Sequence, residues 1–389
     1  MKTFLRQSWA VMAWNLRTLR QRLASSAVIV TGFLAVVLVF VTVLAMRNGF
    51  ETTMTRTGSA DVAMVRSINI GTLGRRAVQR IGQAPGIVQG PQGPLISKGF
   101  LVTVQMQRRN VHLLGPVLLR GVDSHARAIW PGLRLLRGRW FKPGTREVIV
   151  GRRAEHLFAG LALGKRFSLN GHSWKVVGIF ADNGNVHESE IWTDVRALQS
   201  VFGSADQYTN VYVRLASQAA FPEFKRTLES ELHLKLAVTR ESTFFETEAS
   251  GLTTLITYAG SIVVLLMAVG AIFGAVNILY TNVLDRTQDI ATLRSLGFRR
   301  APVLTAVLLE GIAYGLLGGV LGALLAYGIF DGFPASTLGN YVLVAFNFLV
   351  TPGLMLAGIG FALLMGFAGS LFPAVKIGRM PVAAALREL

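Results

Sequence analysis

Residues 27–46, AVIVTGFLAVVLVFVTVLAM, are twenty consecutive positions without a charge, and about twenty are needed for a helix to cross a hydrocarbon core. Apolar runs of that kind recur at 255–280, 302–329 and 353–374, the third interrupted only by Glu310. In lipid the backbone can satisfy itself only by winding each run into a helix or by closing a barrel, and runs this long are helices. The first run is too long for a signal-peptide core, and MRNGFE follows it with no small-residue cleavage site, so it reads as an uncleaved anchor. The 47–254 segment holds most of the charge and is large enough for one or two folded domains. The fold class that follows is a membrane protein. It has four transmembrane helices and a large α+β extracytoplasmic domain inserted between the first and second.

A net charge of +18 suggests nucleic acid until the charges are located. Lys2, Arg6, Arg17, Arg20 and Arg22 precede the first run with no acid among them. Arg286, Arg294, Arg299 and Arg300 follow the second run, and Lys376, Arg379 and Arg387 follow the fourth, whereas 331–351 has neither Lys nor Arg. The positive-inside rule places both termini and the 281–301 loop in the cytoplasm, with the large domain and the 331–351 loop outside. The basic balance is therefore topological, and no nucleic-acid partner is expected. Absence of cysteine excludes disulfides and thiolate chemistry.

The expected organisation runs as follows. A cytoplasmic amphipathic helix occupies 1–26, and transmembrane helices occupy 27–46, 255–280, 302–329 and 353–374. The external domain with its helical stalks takes 47–254, a cytoplasmic loop 281–301, a short external loop 330–352 and a cytoplasmic tail 375–389. Leu5, Trp9, Met12, Leu16, Leu19 and Leu23 alternate in steps of four and three, a single helical stripe. That stripe suits either the cytoplasmic membrane interface or a partner subunit. In the external domain, DVAMV (61–65), FLVTVQM (100–106), PVLLRGV (116–122), REVIVG (146–151), SWKVVGIF (173–180), ESEIWT (188–193) and NVYVRL (210–215) have strand length and composition. Helical patterns lie near 74–83, 151–160, 194–202 and 217–231, and ADNGN at 181–185 predicts a hairpin turn.

Catalytic chemistry is hard to find. GLALGKR at 160–166 falls one residue short of a phosphate-binding loop and has Arg166 where a Ser or Thr would hold magnesium. HESE at 187–190 brings ligand-type groups together, but strand alternation would send neighbours to opposite faces, so no metal is expected. Within the membrane, Gly311, Gly315 and Gly319 recur every fourth residue, as do Gly358, Ala362, Gly366 and Ser370. Such faces let helices approach closely, within one chain or across two copies. Glu310 lies inside the third run, where an acid reads either as a group coupling the loop to the bundle through Arg294 or Arg299, or as a carboxylate hydrated near the cytoplasmic boundary.

One polar stretch stands out between the second and third runs: DRTQDIATLRSLGFRR, 285–300. Asp285 can cap a helix with Gln288 completing a capping box, and Gly297 is placed to end it with Phe298 folding back. Ile290, Leu293 and Leu296 form one apolar face, with Arg294 off it. A helix this short is marginal alone, so its face is expected to dock.

That stretch resembles the cytoplasmic loop of the MacB/FtsX-type ABC transporter permeases, and the tail LFPAVKIGRMPVAAALREL resembles the same family's ending. The external segment from LLRGVDSHARAIW to SWKVVGIF is similar to the MacB-like periplasmic core domain. The resemblance implies a bacterial inner-membrane permease, not itself an enzyme, whose helix at 285–296 seats in a separate cytoplasmic ABC ATPase. ATP and Mg would then sit on that partner, with no cofactor on this chain. It further implies a paired second permease copy, mechanotransmission to the external domain, and tripartite export through a periplasmic adaptor and an outer-membrane channel. Lipoprotein release and regulation of a cell-wall hydrolase are the alternatives the family offers.

Overall fold

The computed structural model describes residues 23–69, 71–91, 93–109, 113–285, 287, 300–338 and 343–379. In chain order the first elements are α1 (Leu23–Thr55), β1 (Val62–Ser67), α2 (Arg75–Gly82), β2 (Ile96–Gln107), β3 (Leu114–Val122), β4 (Arg134–Gly138), β5 (Glu147–Gly151) and α3 (Arg152–Leu157). Next come β6 (Arg166–Leu169), β7 (His172–Ala181), β8 (Ile191–Asp194), α4 (Val195–Val201), β9 (Asn210–Arg214), α5 (Phe221–Glu229) and β10 (Leu236–Arg240). The last are α6 (Glu241–Leu284), α7 (Arg300–Phe330), β11 (Pro334–Leu338), β12 (Leu343–Asn347) and α8 (Pro352–Arg379). The chain forms two units: Met1–Asn48, Thr254–Phe333 and Asn347–Leu389 make one, and Gly49–Thr253 with Pro334–Phe346 make the other.

The first unit is helical. Four helices, α1, α6, Leu304–Phe330 of α7 and Pro352–Lys376 of α8, are long and apolar enough to cross a membrane. Their ends follow local chemistry. Pro302 sits in the first turn of α7, where a missing N–H costs nothing. After its last turn comes Gly332 at φ 73°, a left-handed position that suits glycine. Pro352 opens α8 just after Thr351, whose hydroxyl accepts from Leu354 N at 3.4 Å. Along α1, Ile29, Phe33, Val37, Val41 and Ala45 recur every fourth residue and are buried in the bundle core.

The second unit is built on a ten-stranded sheet in the order β10-β1-β9-β2-β3-β8-β5-β7-β4, with β6 on β7. Its long strand β2 does two jobs: Ile96–Gly99 pair with β9, and Phe100–Gln107 pair with β3. Both faces are covered, so the strands bury alternate residues in opposite directions. In β1, Ala63 and Val65 enter one core while Val62 and Met64 enter the other. In β9, Val211 and Val213 oppose Tyr212 in the same way. A register shift between β5 and β7 changes the parity of β7, and Trp174, Val176 and Ile179 all reach the first core.

Three expectations need correction. ADNGN does not close a hairpin, because β7 and β8 are not neighbours: β5 lies between them, parallel to β7 and antiparallel to β8. HESE is not strand either. Val186–Ser189 form a 3-10 turn in which all four residues are buried, so neighbours are not split between faces. The 330–352 segment, expected as a short loop, contains β11 and β12, a two-stranded sheet belonging to the α/β unit.

Candidate functional site

Within the α/β unit, the last turns of α1 meet the first turn of α6. Phe50 and Met54 of α1 are buried, as is Phe245 of α6. The chain then turns through Gly58 at φ 87°, where a Cβ would come within 2.8 Å of the backbone at Glu241 and Ser242. Only glycine fits both the conformation and the approach. The Glu241 carboxylate accepts from Trp130 Nε1 at 2.8 Å and Ser59 N at 3.2 Å. Thr57 Oγ1 accepts from Val186 N at 3.0 Å, joining the end of α1 to the 3-10 turn.

Beside this joint lies a buried ion pair. Arg120 of β3 donates to Glu190 through Nε at 2.6 Å and Nη2 at 2.7 Å, with exposures of 1% and 0%. The two oxygens match the guanidinium fork. Arg120 Nη1 also donates to Tyr212 Oη at 3.0 Å, and Trp192 Nε1 donates to Glu190 at 2.7 Å. Trp130, Trp192 and Tyr212 put their rings 5.5–5.9 Å from the guanidinium. The His187 ring packs between Trp130 and Trp192, its Nδ1 3.5 Å from Glu190 and its Nε2 3.9 Å from Glu241. Burial is the largest influence on Glu190 and by itself would raise its pKa, but the Arg120 charge, the neighbouring His187 and the hydrogen bonds they make together outweigh it and hold the carboxyl at about 2. Burial likewise pushes the Tyr212 phenol up.

The sign of the pH effect follows. Glu190 is more acidic folded than unfolded, so the pair stabilises the unit above the ordinary carboxylate range of about 4.3, and that contribution disappears as pH falls towards 2. Urea titrations of the full chain, followed by tryptophan fluorescence, should therefore show stability falling below about pH 4.5. The double variant Arg120→Leu/Glu190→Leu should lose part of that acid limb. An unchanged limb would place the acid sensitivity elsewhere.

A clasp from β11 and β12 covers the neighbouring surface of the α/β unit. Arg153 Nη1 donates to Ala345 O at 2.6 Å, and Ala345 N donates to Ser189 Oγ at 3.1 Å. Arg108 Nη2 donates to Ser336 Oγ at 2.9 Å, and Phe346 meets Phe50 edge-on at 5.5 Å. Val344, Ala345 and Phe346 are all buried.

In the helical unit, the small-residue faces meet unequally. Gly311, Gly315 and Gly319 lie against Gly366, Ser370 and Ala362, and a Cβ at Gly315 would sit 2.5 Å from Ala362 O. Gly358 belongs to another contact: it faces Val37 and Val41 of α1. Gly318 and Gly322, a separate pair four residues apart, receive Phe33, Leu34 and Val37 of the same helix. Glu310 accepts from Tyr314 Oη at 2.8 Å, and Ser26 Oγ is 2.8 Å from the same phenol; Arg294 and Arg299, the partners expected for it, lie outside the described residues. This chain of contacts links α1 to α7. Gln288, Ile290, Leu293, Arg294, Leu296, Gly297 and Phe298 lie outside the described residues. Asp285 closes α6, donating from its N to Thr281 O at 3.0 Å.

Comparison with known proteins places this architecture. Residues 24–231 match the MacB-like periplasmic core domain, and residues 261–382 match the FtsX-like permease C-terminal. The chain belongs to the MacB/FtsX-type ABC transporter permeases, which are multi-pass membrane proteins. A macrolide export ATP-binding/permease protein MacB of Bordetella avium (strain 197N) is 24% identical over 400 residues, which is 97% of this chain and 59% of the relative. A pyoverdine export ATP-binding/permease protein PvdT of Pseudomonas savastanoi pv. phaseolicola is 27% identical over 291 residues, 69% of this chain and 42% of the relative. The matches span 22% to 59% of the lengths of the first such relatives. Among solved structures, the periplasmic region of MacB from Actinobacillus actinomycetemcomitans covers 49% of this chain and 94% of its own, at 15% identity and a TM-score of 0.38.

Proposed function

We propose that this chain is the membrane-spanning subunit of an ATP-driven export system of a bacterial inner membrane, working by mechanotransmission. A separate ABC ATPase, carrying ATP and Mg, engages the 285–296 helix from the cytoplasm, where both termini lie. A second copy of the permease pairs with the first. Movement of the helices shifts the external domain, which acts on a periplasmic adaptor and an outer-membrane channel. The observation supporting this reading is the joint at Thr57, Gly58 and Glu241. There the ends of two apolar helices are tied to one buried cluster, in which Trp130 and His187 stand between Glu241 and the Arg120–Glu190 pair, a route by which a displaced helix end would act on the sheet. The Ser26–Tyr314–Glu310 chain serves the same purpose inside the bundle.

The test is purification of the full chain in mild detergent, with its partners identified by mass spectrometry. An ABC ATPase together with an adaptor supports the reading. An outer-membrane lipoprotein carrier in the adaptor's place redirects it to lipoprotein release, and a cell-wall hydrolase to regulation. Leu293→Arg should release the ATPase and remove its stimulated activity while the domain melts as before. Full ATPase retention by that variant would overturn the coupling-helix assignment.

A further inference from the structure

The α/β unit holds an open cleft of about 860 Å³, bordered by α2, α4 and the first residues of β2. Clefts of this volume accommodate small molecules. Its lining is of two kinds. Ile96 and Tyr208 are mostly buried and give it an apolar wall. Arg75, Lys98 and Arg196 bring three cations to the same concavity.

Only one of those cations is neutralised across the cleft. Arg75 Nη2 pairs with Asp206 at 2.8 Å, both side chains more than half exposed. Lys98 and Arg196 have no carboxylate within 4.0 Å of their charged nitrogens among the described residues. Asp123 lies close by, but its carboxylate is taken by backbone donors, Lys98 N at 3.2 Å and His125 N at 3.1 Å. His125 also lines the cleft, but its Nε2 is shielded from water and so out of a ligand's reach, while its Nδ1 lies 3.8 Å from Asp123. Two unpaired cations and an apolar wall on one concavity define the chemistry of an occupant.

We propose that this cleft binds a small organic anion, an apolar ring-sized body carrying a carboxylate, sulfonate or phosphate. Lys98 and Arg196 hold the anion, the planar guanidinium fork matching two of its oxygens. The body of the anion lies against Ile96 and Tyr208. A cation of the same shape is repelled, and a neutral one forfeits the charge-assisted bonds. Binding of this kind requires no ATPase, so it stands apart from the export reading.

The absence of cysteine makes a clean test available. Ser200→Cys places a single thiol on the cleft lining for an environment-sensitive fluorophore. The labelled full chain, in nanodiscs of zwitterionic lipid, is titrated with naphthalene-2-sulfonate, naphthalene-2-methanol and naphthalen-2-ylmethylammonium. The sulfonate should give a saturable change, with the alcohol and the ammonium at least about tenfold weaker. Lys98→Gln and Arg196→Gln, both at exposed or half-buried side chains, should each weaken the sulfonate about tenfold while leaving the melting temperature unchanged. Equal response to all three naphthalenes, no saturation by the sulfonate, or unchanged sulfonate affinity in the Lys98→Gln/Arg196→Gln double variant would each overturn the proposal.

Discussion

Arg120→Ala should destabilise the α/β unit by about 3–5 kcal/mol, the cost of leaving one partner of a buried pair uncompensated. Glu190 would then be an anion with no exposed surface, keeping only the Trp192 donor and the neighbouring imidazole. Tyr212 Oη would lose a donor as well, retaining Asn210 Nδ2 at 3.2 Å. For a unit of this size the loss corresponds to a melting temperature lower by roughly 6–20 °C. Tryptophan fluorescence of the full chain is a suitable reading, since Trp130 and Trp192 flank the guanidinium. Removing both charges tells the pair's own worth from the penalty of orphaning. Arg120→Leu/Glu190→Leu should be markedly less damaging than Arg120→Ala, because replacing a whole buried pair with apolar groups is often close to neutral. Equal damage from the two would mean that packing, and not charge, dominates at this position.

The second large effect belongs to the helical unit. Gly315→Leu should break the α7–α8 contact, because its Cβ would meet Ala362 O at 2.5 Å and Leu363 Cα at 3.3 Å, backbone atoms that no rotamer can move. Overpacking costs about 1–3 kcal/mol where side chains can yield, and a backbone obstacle pushes towards or beyond the upper end. Gly328→Leu is the control, since nothing among the described residues lies within 4 Å of a Cβ there. Heating both variants in detergent and measuring the fraction that stays monodisperse should give wild-type behaviour for Gly328→Leu and early loss for Gly315→Leu. The same early loss in both would point to leucine itself and acquit the close approach.

Much of this architecture is legible in the sequence because lipid and sheet geometry impose short, regular periods. Apolar runs of span length mark α1, α6, α7 and α8, and VAMV or EVIV, filled with β-branched residues, mark strands buried on both faces. What escapes is whatever depends on long-range neighbours. Arg120 and Glu190 are 70 positions apart, and no local pattern pairs them. The signal was present in PVLLRGV, where an arginine sits inside an otherwise apolar strand, as it was in the acid before IWT. A charge within a strand buried on both faces needs a partner. The glycine faces show the same limit. The every-fourth rule finds Gly311, Gly315 and Gly319 but cannot tell that Gly358 serves α1, or that Gly318 and Gly322 do. Helix faces are periodic, whereas the choice of neighbour is made by the bundle. The ADNGN turn is a third case: its residues do turn the chain, but pairing of the flanking strands is decided by β5, which intrudes between them.

The clasp formed by β11 and β12 carries a practical consequence for anyone cutting this protein into pieces. A soluble fragment bounded at 49 and 253 omits the strands that lie on Phe50, Arg153 and Ser189. It would begin life with a bare aromatic and three polar groups, Arg108, Arg153 and Ser189, each short of one hydrogen-bond partner. Grafting residues 334–346 back through a flexible linker should make the fragment better behaved, because the α/β unit is assembled from two separate stretches of chain and only one of them lies between the first two apolar helices.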